Sequence, residues 1–439
     1  MNPKFEVIIK PTQLKGHLEV PPSKSMSHRV IMCAGLSSDV SKITNITLSE
    51  DISATLEAMK QFGCVVSVEQ RAQGHPQDVR YTMTLSNPKM MAYARTGKKP
   101  IQEQVEIFCN ESGSTARFMI PLFHLSENEV VFSGTERLSQ RPYEPYYEIF
   151  KRQNITYHTL AGGLPLKVSG ALMPGHFDVV GNISSQFISG LMFSLPLLKG
   201  DSTLKIIPPV ESRDYIALTL QCLKAFGIEI TETAAFEYAI KGGQRYQACD
   251  MSVEGDYSQA AFWLVAAALG HPIRLSGLSD QSVQADRAIV QLIENVRSDA
   301  HRQVDVSQFP DLVPVLTVLY ALGEGTTEIV NAARLRIKES DRLHAIATEL
   351  GKMGADIEEK EEGLVIRGVN KLKGAYVSSW NDHRIAMALA IAASVAEGET
   401  VIDGAECVQK SYPHFWEDYR SLGGDALLVT SEKEDKHEQ

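Results

Sequence analysis

Four cationic side chains lie in the first turns of apolar segments of helical length: Lys24, Arg29, Arg117 and Arg384. Ser, Asp or Asn residues precede these segments, as expected of helix N-caps. Capping alone does not explain the cations, because the N-terminus of a helix already carries a partial positive charge and unsatisfied N–H donors. A bound anion would make them favourable, so the pattern also indicates a site for phosphate-bearing small molecules.

Two carboxylates occupy similar positions. Asp311 lies in the sequence FPD at the start of an apolar run, and Glu339 lies in RIKESDR, three residues before Arg342. As an isolated residue Asp311 is equally compatible with an N-cap. Glu339 and Arg342 are expected on one face of a helix, where an ion pair contributes only a few tenths of a kcal/mol.

The elements that carry these residues recur six times. Each copy has a polar start, an apolar run of helical length, a turn and a stretch rich in β-branched residues. The copies begin at Ser23, Glu111, Ser184, Gly255, Phe309 and Asn381. The runs are apolar nearly all round, which predicts buried helices, and the stretches after them are predicted strands.

A second helical pattern occurs in TLEAMKQFGCVVSVE, TLQCLKAFGIEITE and ATELGKMGADIEEK. Each has one apolar face, a glycine stop (Gly63, Gly227 or Gly354) and an alternating strand, so these helices are predicted to lie outside. Buried helices, outer helices and strands in repeated units predict an α/β architecture. The uneven spacing excludes an open solenoid.

Composition restricts the class of protein further. The chain has 439 residues, which favours two or three domains, and a formal net charge of -11, which argues against a nucleic-acid binder. None of the six cysteines forms a CxxC pair or lies at zinc-ligand spacing from a histidine, so no metal is predicted. No apolar stretch reaches about 18 residues, so no membrane span is predicted, and a cytoplasmic location is expected. The charged tail 431–439 is predicted to be frayed.

Several motifs occur in a characteristic order along the chain. They are PPSKSMSHR (21–29), the Ser184–Phe187 run, SRDYI (212–216), FPD (309–311), RIKESDRL (336–343), NDHRIAM (381–387) and CVQKSYPHFW (407–416). Together they resemble the motifs of the 5-enolpyruvylshikimate-3-phosphate synthase (EPSP synthase) family, and the first resembles its signature PGSKSxSxR. The resemblance covers essentially the whole chain outside the tail.

The resemblance implies a fold of two similar domains. Each contains three βαβαββ units around buried parallel helices, as an inside-out α/β barrel. One domain, on the phosphoenolpyruvate side, is then discontinuous, and the other lies on the shikimate 3-phosphate side. The implied boundaries are 1–22 with 255–439 for the first and 23–254 for the second.

The resemblance also implies a reaction, in which the enolpyruvyl group of phosphoenolpyruvate is transferred to the 5-hydroxyl of shikimate 3-phosphate and phosphate is released. The path is addition and then elimination through a tetrahedral ketal. General acid–base groups suffice for it, so no cofactor is implied. The implied partners are the two small-molecule substrates, without nucleic acid or membrane, and the protein is expected to be a monomer.

Matched positions carry implied roles. Lys24 is expected to touch both substrates and move the methylene proton, Asp311 to act as base at the 5-hydroxyl, and Glu339 to exchange protons with the methylene carbon. The implied ligands of shikimate 3-phosphate are Lys24, Ser25, Arg29, Ser184, Ser185, Gln186, Ser212, Tyr215, Asp311, Arg334 and Lys338. Those of phosphoenolpyruvate are Lys24, Gly113, Arg141, Gln186, Arg342, Arg384 and Lys410.

Three positions depart from the family pattern: Glu111 replaces an Asn, Phe118 a Pro, and Arg334 an Asn that often contacts the shikimate phosphate. Two alternatives stay open. A UDP-N-acetylglucosamine enolpyruvyltransferase would carry a reactive Cys that the stretch 133–145 lacks. A catalytically dead binding protein would not require both Asp311 and Glu339.

Overall fold

The computed structural model describes residues 5–71, 80–90, 93, 104–125, 127–296 and 301–430; the predicted frayed tail lies outside them. The chain divides into two compact units. We call the first the middle unit, and it comprises the described residues of Pro21–Asp256 and Leu278–Ala285. We call the second the terminal unit, and it comprises those of Met1–Val20, Tyr257–Gly277 and Asp286–Gln439.

The described residues form thirteen α-helices. They are α1 (Lys24–Leu36), α2 (Glu50–Gln61), α3 (Gly113–Phe123), α4 (Glu136–Ser139), α5 (Glu144–Arg152), α6 (Ser185–Ser194), α7 (Arg213–Ala225), α8 (Tyr257–Ala268), α9 (Ile289–Asn295), α10 (Val313–Ala321), α11 (Arg342–Lys352), α12 (His383–Ser394) and α13 (Phe415–Ser421). Short 3₁₀ helices cover Leu195–Leu197, Ala285–Ala288, Pro310–Leu312, Ala333–Ile337 and Ala405–Lys410. No helix of the described residues is long and apolar enough to cross a membrane.

The strands are divided between the two units. In the middle unit they are β3 (Ser41–Ile46), β4 (Val65–Arg71), β5 (Arg80–Ser86), β6 (Gln104–Phe108), β7 (Asn128–Ser133), β8 (Thr156–Thr159), β9 (Leu166–Gly170), β10 (His176–Val180), β11 (Ser202–Ile207), β12 (Ile230–Ala234), β13 (Glu237–Ile240) and β14 (Met251–Ser252). In the terminal unit they are β1 (Phe5–Lys10), β2 (Gly16–Glu19), β15 (Ile273–Ser276), β16 (His301–Asp305), β17 (Thr326–Val330), β18 (Asp356–Lys360), β19 (Gly363–Arg367), β20 (Tyr376–Ser378), β21 (Thr400–Asp403) and β22 (Asp425–Thr430).

Five sheets share one arrangement of four strands. The middle unit has β14-β3-β5-β4, β6-β7-β9-β8 and β10-β11-β13-β12, and the terminal unit has β16-β17-β19-β18 and β20-β21-β1-β22. In each, the first pair is parallel and the other two pairs are antiparallel. The sixth sheet has only the parallel pair β15-β2 among the described residues. The predicted α/β class with repeated units is confirmed.

The six apolar runs form the six predicted buried helices: α1, α3, α6, α8, α10 and α12. Every residue of α10 and α12 is buried, and in α1 every residue from Met26 to Leu36 is buried. Four of them, α3, α6, α10 and α12, each connect the two strands of a parallel pair, which requires a crossover.

The amphipathic pattern also holds. α2, α7 and α11 bury one face only, and the predicted stops Gly63, Gly227 and Gly354 follow them with φ values of 102°, 77° and 90°. Glycine adopts this left-handed backbone without steric cost, which explains its place after a helix. Apolar spacing along the chain thus distinguishes the inner from the outer helices.

Candidate functional site

Each unit carries one cluster of the predicted residues at the starts of its buried helices. In the middle unit, α1 begins at Lys24, and the hydroxyl of Ser23 caps it by accepting the N–H of Met26 at 3.3 Å. The ammonium of Lys24 lies 2.8 Å from Oδ2 of Asp51, in the first turn of α2. Asp51 was not among the predicted site residues, and its only signal in the sequence is its place at another helix start.

Arg29 is fully buried and joins α1 to α7. Its Nη1 donates to the Ser25 carbonyl at 2.7 Å, its Nη2 to the Tyr215 carbonyl at 3.1 Å and its Nε to Oγ1 of Thr219 at 2.8 Å. Burial lowers the pKa of Arg29 to about 10. The guanidinium also lies 5.4 Å from the ring centroid of Phe118, so the residue that replaces the family's proline packs against this cation.

Gly113, the first residue of α3, lies where three polar side chains meet. A Cβ atom placed on Gly113 would lie 2.9 Å from Nη1 of both Arg117 and Arg141, and 3.2 Å from Oε1 of Gln186. Nη1 of Arg117 donates to Oε1 of Gln186 at 2.7 Å, and Nε2 of Gln186 donates to Ser114 at 2.9 Å. The structure therefore brings Gly113, Arg141 and Gln186 together and adds Arg117, to which the sequence analysis assigned no ligand.

The serines lie at the starts of α6 and α7. Ser184 caps α6, since its hydroxyl accepts the N–H of Gln186 at 3.3 Å, and Ser185 is buried next to it. Ser212 precedes α7 with a left-handed φ of 53°, and Tyr215 follows in the first turn. Ser184 is thus an N-cap that lies at the same helix start as Gln186.

In the terminal unit Arg342 occupies the centre of an ion-pair network. Its Nη1 contacts Oδ1 of Asp311 at 2.9 Å, its Nη2 contacts Oε2 of Glu339 at 2.5 Å and its Nε contacts Oδ2 of Asp382 at 2.8 Å. Only 2% of the Arg342 side chain is exposed, and none of Asp382. Burial by itself would lower the pKa of Arg342, but these carboxylates raise it above its usual value.

Glu339 lies outside the helix to which the sequence analysis assigned it. α11 begins only at Arg342, because the Asp341 side chain caps it by accepting the N–H of His344 at 3.1 Å. The predicted ion pair between Glu339 and Arg342 forms nevertheless, from a non-helical residue. Glu339 is therefore oriented by the loop before the helix.

Asp311 lies in a 3₁₀ turn before α10 and faces three cations. Besides Arg342, its carboxylate contacts Nη2 of Arg384 at 3.0 Å and Nζ of Lys338 at 3.6 Å. Burial alone would raise the pKa of Asp311, but Arg384, Lys338 and Arg342 outweigh it and hold this pKa well below its usual range. Without a ligand Asp311 is ionised and weakly basic.

Asp382 is the second residue that the sequence analysis missed. It caps α12 by accepting the N–H of Arg384 at 2.9 Å, and it also accepts from Ser340 at 3.0 Å and from Arg342. Burial would raise the pKa of Asp382, but Arg342 lowers it below its usual value. His383 is buried beside it.

The remaining predicted cations are fixed by backbone carbonyls. Nη2 of Arg334 donates to the Ser307 carbonyl at 2.7 Å, and Nζ of Lys410 donates to the Asn381 carbonyl at 2.5 Å. Burial, together with the charges of Arg334 and Arg342, lowers the pKa of Lys338 to about 8 despite the nearby Asp311. The described residues contain no group of three or more His, Cys, Asp or Glu that could hold a metal.

Comparison with known proteins identifies the family. The family model described as EPSP synthase (3-phosphoshikimate 1-carboxyvinyltransferase) matches residues 8–419. Proteins named 3-phosphoshikimate 1-carboxyvinyltransferase from Clostridium kluyveri and Clostridium acetobutylicum are 46% and 48% identical over 434 and 433 residues, each covering 95% of this chain and 97% of the relative. The fold is similar to that of EPSP synthase from Acinetobacter baumannii, with a TM-score of 0.76, 24% identity, and 97% and 100% of the two chains covered.

Proposed function

The chain belongs to the EPSP synthase family, and we propose how its own residues carry out that family's reaction. The enzyme transfers the enolpyruvyl group of phosphoenolpyruvate to the 5-hydroxyl of shikimate 3-phosphate and releases phosphate, a step towards the aromatic amino acids. Both substrates are polyanions, and the reaction passes through a tetrahedral ketal. It requires proton transfer at two atoms, the hydroxyl oxygen and the methylene carbon.

The observation that carries the assignment of residues is the array around Asp311 in the terminal unit. Two carboxylates, Asp311 and Glu339, share Arg342, and Asp311 also contacts Arg384 and Lys338. The cations are suited to binding anionic substrates, whereas the carboxylates are suited to proton transfer. Binding alone would not need both acids within reach of one guanidinium.

We assign Asp311 as the base that removes the proton of the 5-hydroxyl. In the free protein its pKa is held down by three cations. Anionic substrate groups that take over Lys338, Arg342 or Arg384 would weaken this hold, so the pKa of Asp311 would rise towards a value useful for catalysis. The base would then become effective only when substrate is bound.

We assign Glu339 and Lys24 to proton transfer at the methylene carbon of phosphoenolpyruvate. Addition requires a proton to be delivered to this carbon, and elimination requires a proton to be removed from it. Glu339 supplies a partly exposed carboxylate, and Lys24 supplies an ammonium group at the start of α1. Their present partners, Arg342 and Asp51, orient both groups.

Each substrate is assigned its own set of binding residues. For shikimate 3-phosphate we propose Lys24, Ser25, Arg29, Ser184, Ser185, Gln186, Ser212, Tyr215, Asp311, Arg334 and Lys338. For phosphoenolpyruvate we propose Lys24, Gly113, Arg141, Gln186, Arg342, Arg384 and Lys410. Guanidinium groups suit both carboxylate and phosphate, because their parallel N–H donors match two oxygens.

A phosphate-release assay tests the function directly. We expect release only when shikimate 3-phosphate and phosphoenolpyruvate are both present, no effect of a chelator, and no release when UDP-N-acetylglucosamine replaces shikimate 3-phosphate. Turnover with the nucleotide sugar would favour the alternative enolpyruvyltransferase. Lack of turnover with either acceptor would favour a binding protein.

We also propose that the enzyme acts as a cytoplasmic monomer. All six cysteines are free and five are buried, as expected in a reducing compartment. Sedimentation velocity at the enzyme concentration of the assay tests the monomer, and a dimer that dissociates with loss of activity would contradict it.

Replacement of Gly113 by alanine is expected to weaken phosphoenolpyruvate binding without weakening the fold. The new Cβ would approach Arg117 and Arg141 to 2.9 Å, and both contacts are with the far ends of flexible side chains, which can move. Displaced guanidinium groups should raise the KM for phosphoenolpyruvate by about tenfold. Steady-state kinetics and thermal unfolding measure the two effects.

Gly351→Ala is the matched control, because a Cβ at this helical position meets nothing within 4 Å. It should leave the KM near that of the wild type and keep or slightly raise the Tm, because alanine is more favourable than glycine within a helix. A Gly113→Ala protein with an unchanged KM for phosphoenolpyruvate would contradict the assignment of this glycine.

The lowered pKa of Lys338 predicts that shikimate 3-phosphate binding depends on pH. Its lowered pKa of about 8 means that the free protein loses this positive charge as pH rises from 7 to 9. If the bound phosphate requires the charged form, the Kd should rise by about tenfold over this range. Calorimetric titrations at pH 7, 8 and 9 measure the change.

Lys338→Arg provides the control, because arginine stays charged throughout this range. The variant should bind shikimate 3-phosphate with a nearly constant Kd between pH 7 and 9. An equal pH dependence in wild type and variant would assign the titration to another group.

A further inference from the structure

The segment Ser378–Asp382 leads into α12 and contacts the cations assigned to phosphoenolpyruvate; we call it the entry segment. The carbonyl of Asn381 accepts from Nζ of Lys410 at 2.5 Å, and Asp382 accepts from Nε of Arg342 at 2.8 Å. Asp382 also begins the helix whose first turn contains Arg384. A shift of the entry segment would therefore displace three cations: Arg342, Arg384 and Lys410.

The backbone of the entry segment has an uncommon conformation. Trp380 and Asn381 are consecutive left-handed residues, with φ values of 54° and 53°. Asparagine adopts this region fairly readily, but a bulky aromatic residue rarely does. The turn at Trp380 therefore requires contacts from outside the entry segment.

Glu349 of α11 provides these contacts. Its Oε1 accepts from the indole Nε1 of Trp380 at 2.7 Å, and its Oε2 accepts from the N–H of Ser378 at 3.0 Å. The Glu349 side chain is only 1% exposed, whereas its ion-pair partner Lys352 is 45% exposed. An ion pair with an exposed lysine contributes little stability, so it does not account for burying this carboxylate.

Glu349 and Arg342 lie seven residues apart on α11, which places them on one face of the helix, and both are buried. Arg342 holds the end of the entry segment through Asp382, while Glu349 holds its start through Ser378 and Trp380. One helix face thus fixes both ends of a five-residue turn.

We propose that Glu349 is a positioning residue for phosphoenolpyruvate binding, which it controls by holding the left-handed turn at Trp380. The inference rests on the proposed function, since it concerns the cations assigned there. Glu349 contacts no reacting group. It acts through the placement of Lys410, Arg384 and Arg342.

Glu349→Gln tests the proposal with little change of shape. Glutamine can still accept the indole N–H of Trp380, but its amide NH₂ then faces the N–H of Ser378, donor against donor. We expect the KM for phosphoenolpyruvate to rise by about tenfold, while the Kd for shikimate 3-phosphate stays within about twofold, because a small misplacement of binding groups is costly. Steady-state kinetics and calorimetry on the full chain measure the two constants.

Two further variants separate positioning from stability. Trp380→Phe removes the indole N–H, makes the ring smaller, and should raise the same KM in a protein whose buried carboxylate is kept. In Glu349→Gln, the added change Trp380→Gly should lower the KM again, because glycine adopts a positive φ without strain. A KM that stays as high as in the single variant would overturn the role of the turn.

Lys352→Met is the control, because it removes the exposed partner of the same carboxylate and should leave both constants unchanged. A folded Glu349→Gln protein with the wild-type KM, or with equal losses for both substrates, would overturn the proposal. A wild-type protein without turnover would overturn the proposed function and this inference with it. The two failures are therefore distinguishable.

Discussion

Asp311→Asn is expected to lower kcat by about 10²–10⁴, the usual contribution of a general base. The amide keeps the size of the side chain but cannot accept a proton. The substitution also removes a negative charge that now neutralises Lys338, Arg342 and Arg384. Binding of anionic substrates should therefore be kept or strengthened while turnover falls, and calorimetry with single-turnover kinetics separates the two effects.

Glu339→Gln should behave in the same way, with loss of turnover and little loss of shikimate 3-phosphate binding. Asp305→Asn is a suitable control, because this exposed aspartate accepts from Ser307 and Asn331 and lies outside the proposed site. Its kcat should remain near that of the wild type. If either Asp311→Asn or Glu339→Gln turned over like the wild type, its catalytic assignment would be wrong.

Arg342→Met is expected to remove activity and to destabilise the fold by about 3–5 kcal/mol at neutral pH, the cost of breaking a buried ion pair from one side. Asp382 would keep its charge in a site where none of its side chain is exposed. The loss of Arg342 should raise the pKa of Asp382. The difference in unfolding free energy between wild type and variant should therefore become smaller as the pH falls, because the Asp382 carboxyl becomes protonated. Urea unfolding at pH 7 and pH 5 measures the free energies.

Two comparisons test this explanation. Arg336→Met removes an arginine whose partners, Asp341 and Glu359, lie at a partly exposed site, so its cost should stay within about 1 kcal/mol. Adding Asp382→Asn to Arg342→Met should recover stability, because asparagine still caps α12 without a buried charge. If the double variant were as unstable as Arg342→Met, the loss of stability would not come from the unpaired charge of Asp382.

Local patterns in the sequence determined nine of the thirteen helices of the described residues and the strand that follows each of them. The runs that became α1, α3, α6, α8, α10 and α12 are apolar nearly all round, and burial on every side follows from that pattern alone. The predicted stops at Gly63, Gly227 and Gly354 were correct because a left-handed residue after a helix is a local requirement. Cations at helix starts pointed to anionic ligands for the same local reason.

Only the tertiary structure decided the partners of these side chains. Asp51 faces Lys24, and Asp382 faces Arg342, across 27 and 40 residues of sequence. Glu349 and Trp380 are likewise joined only by the packing of α11 against the entry segment. Helix capping can be predicted from the sequence because it depends on neighbouring residues. Ion pairs and the pKa values of their side chains depend on distance and burial, which are set only when distant elements pack together.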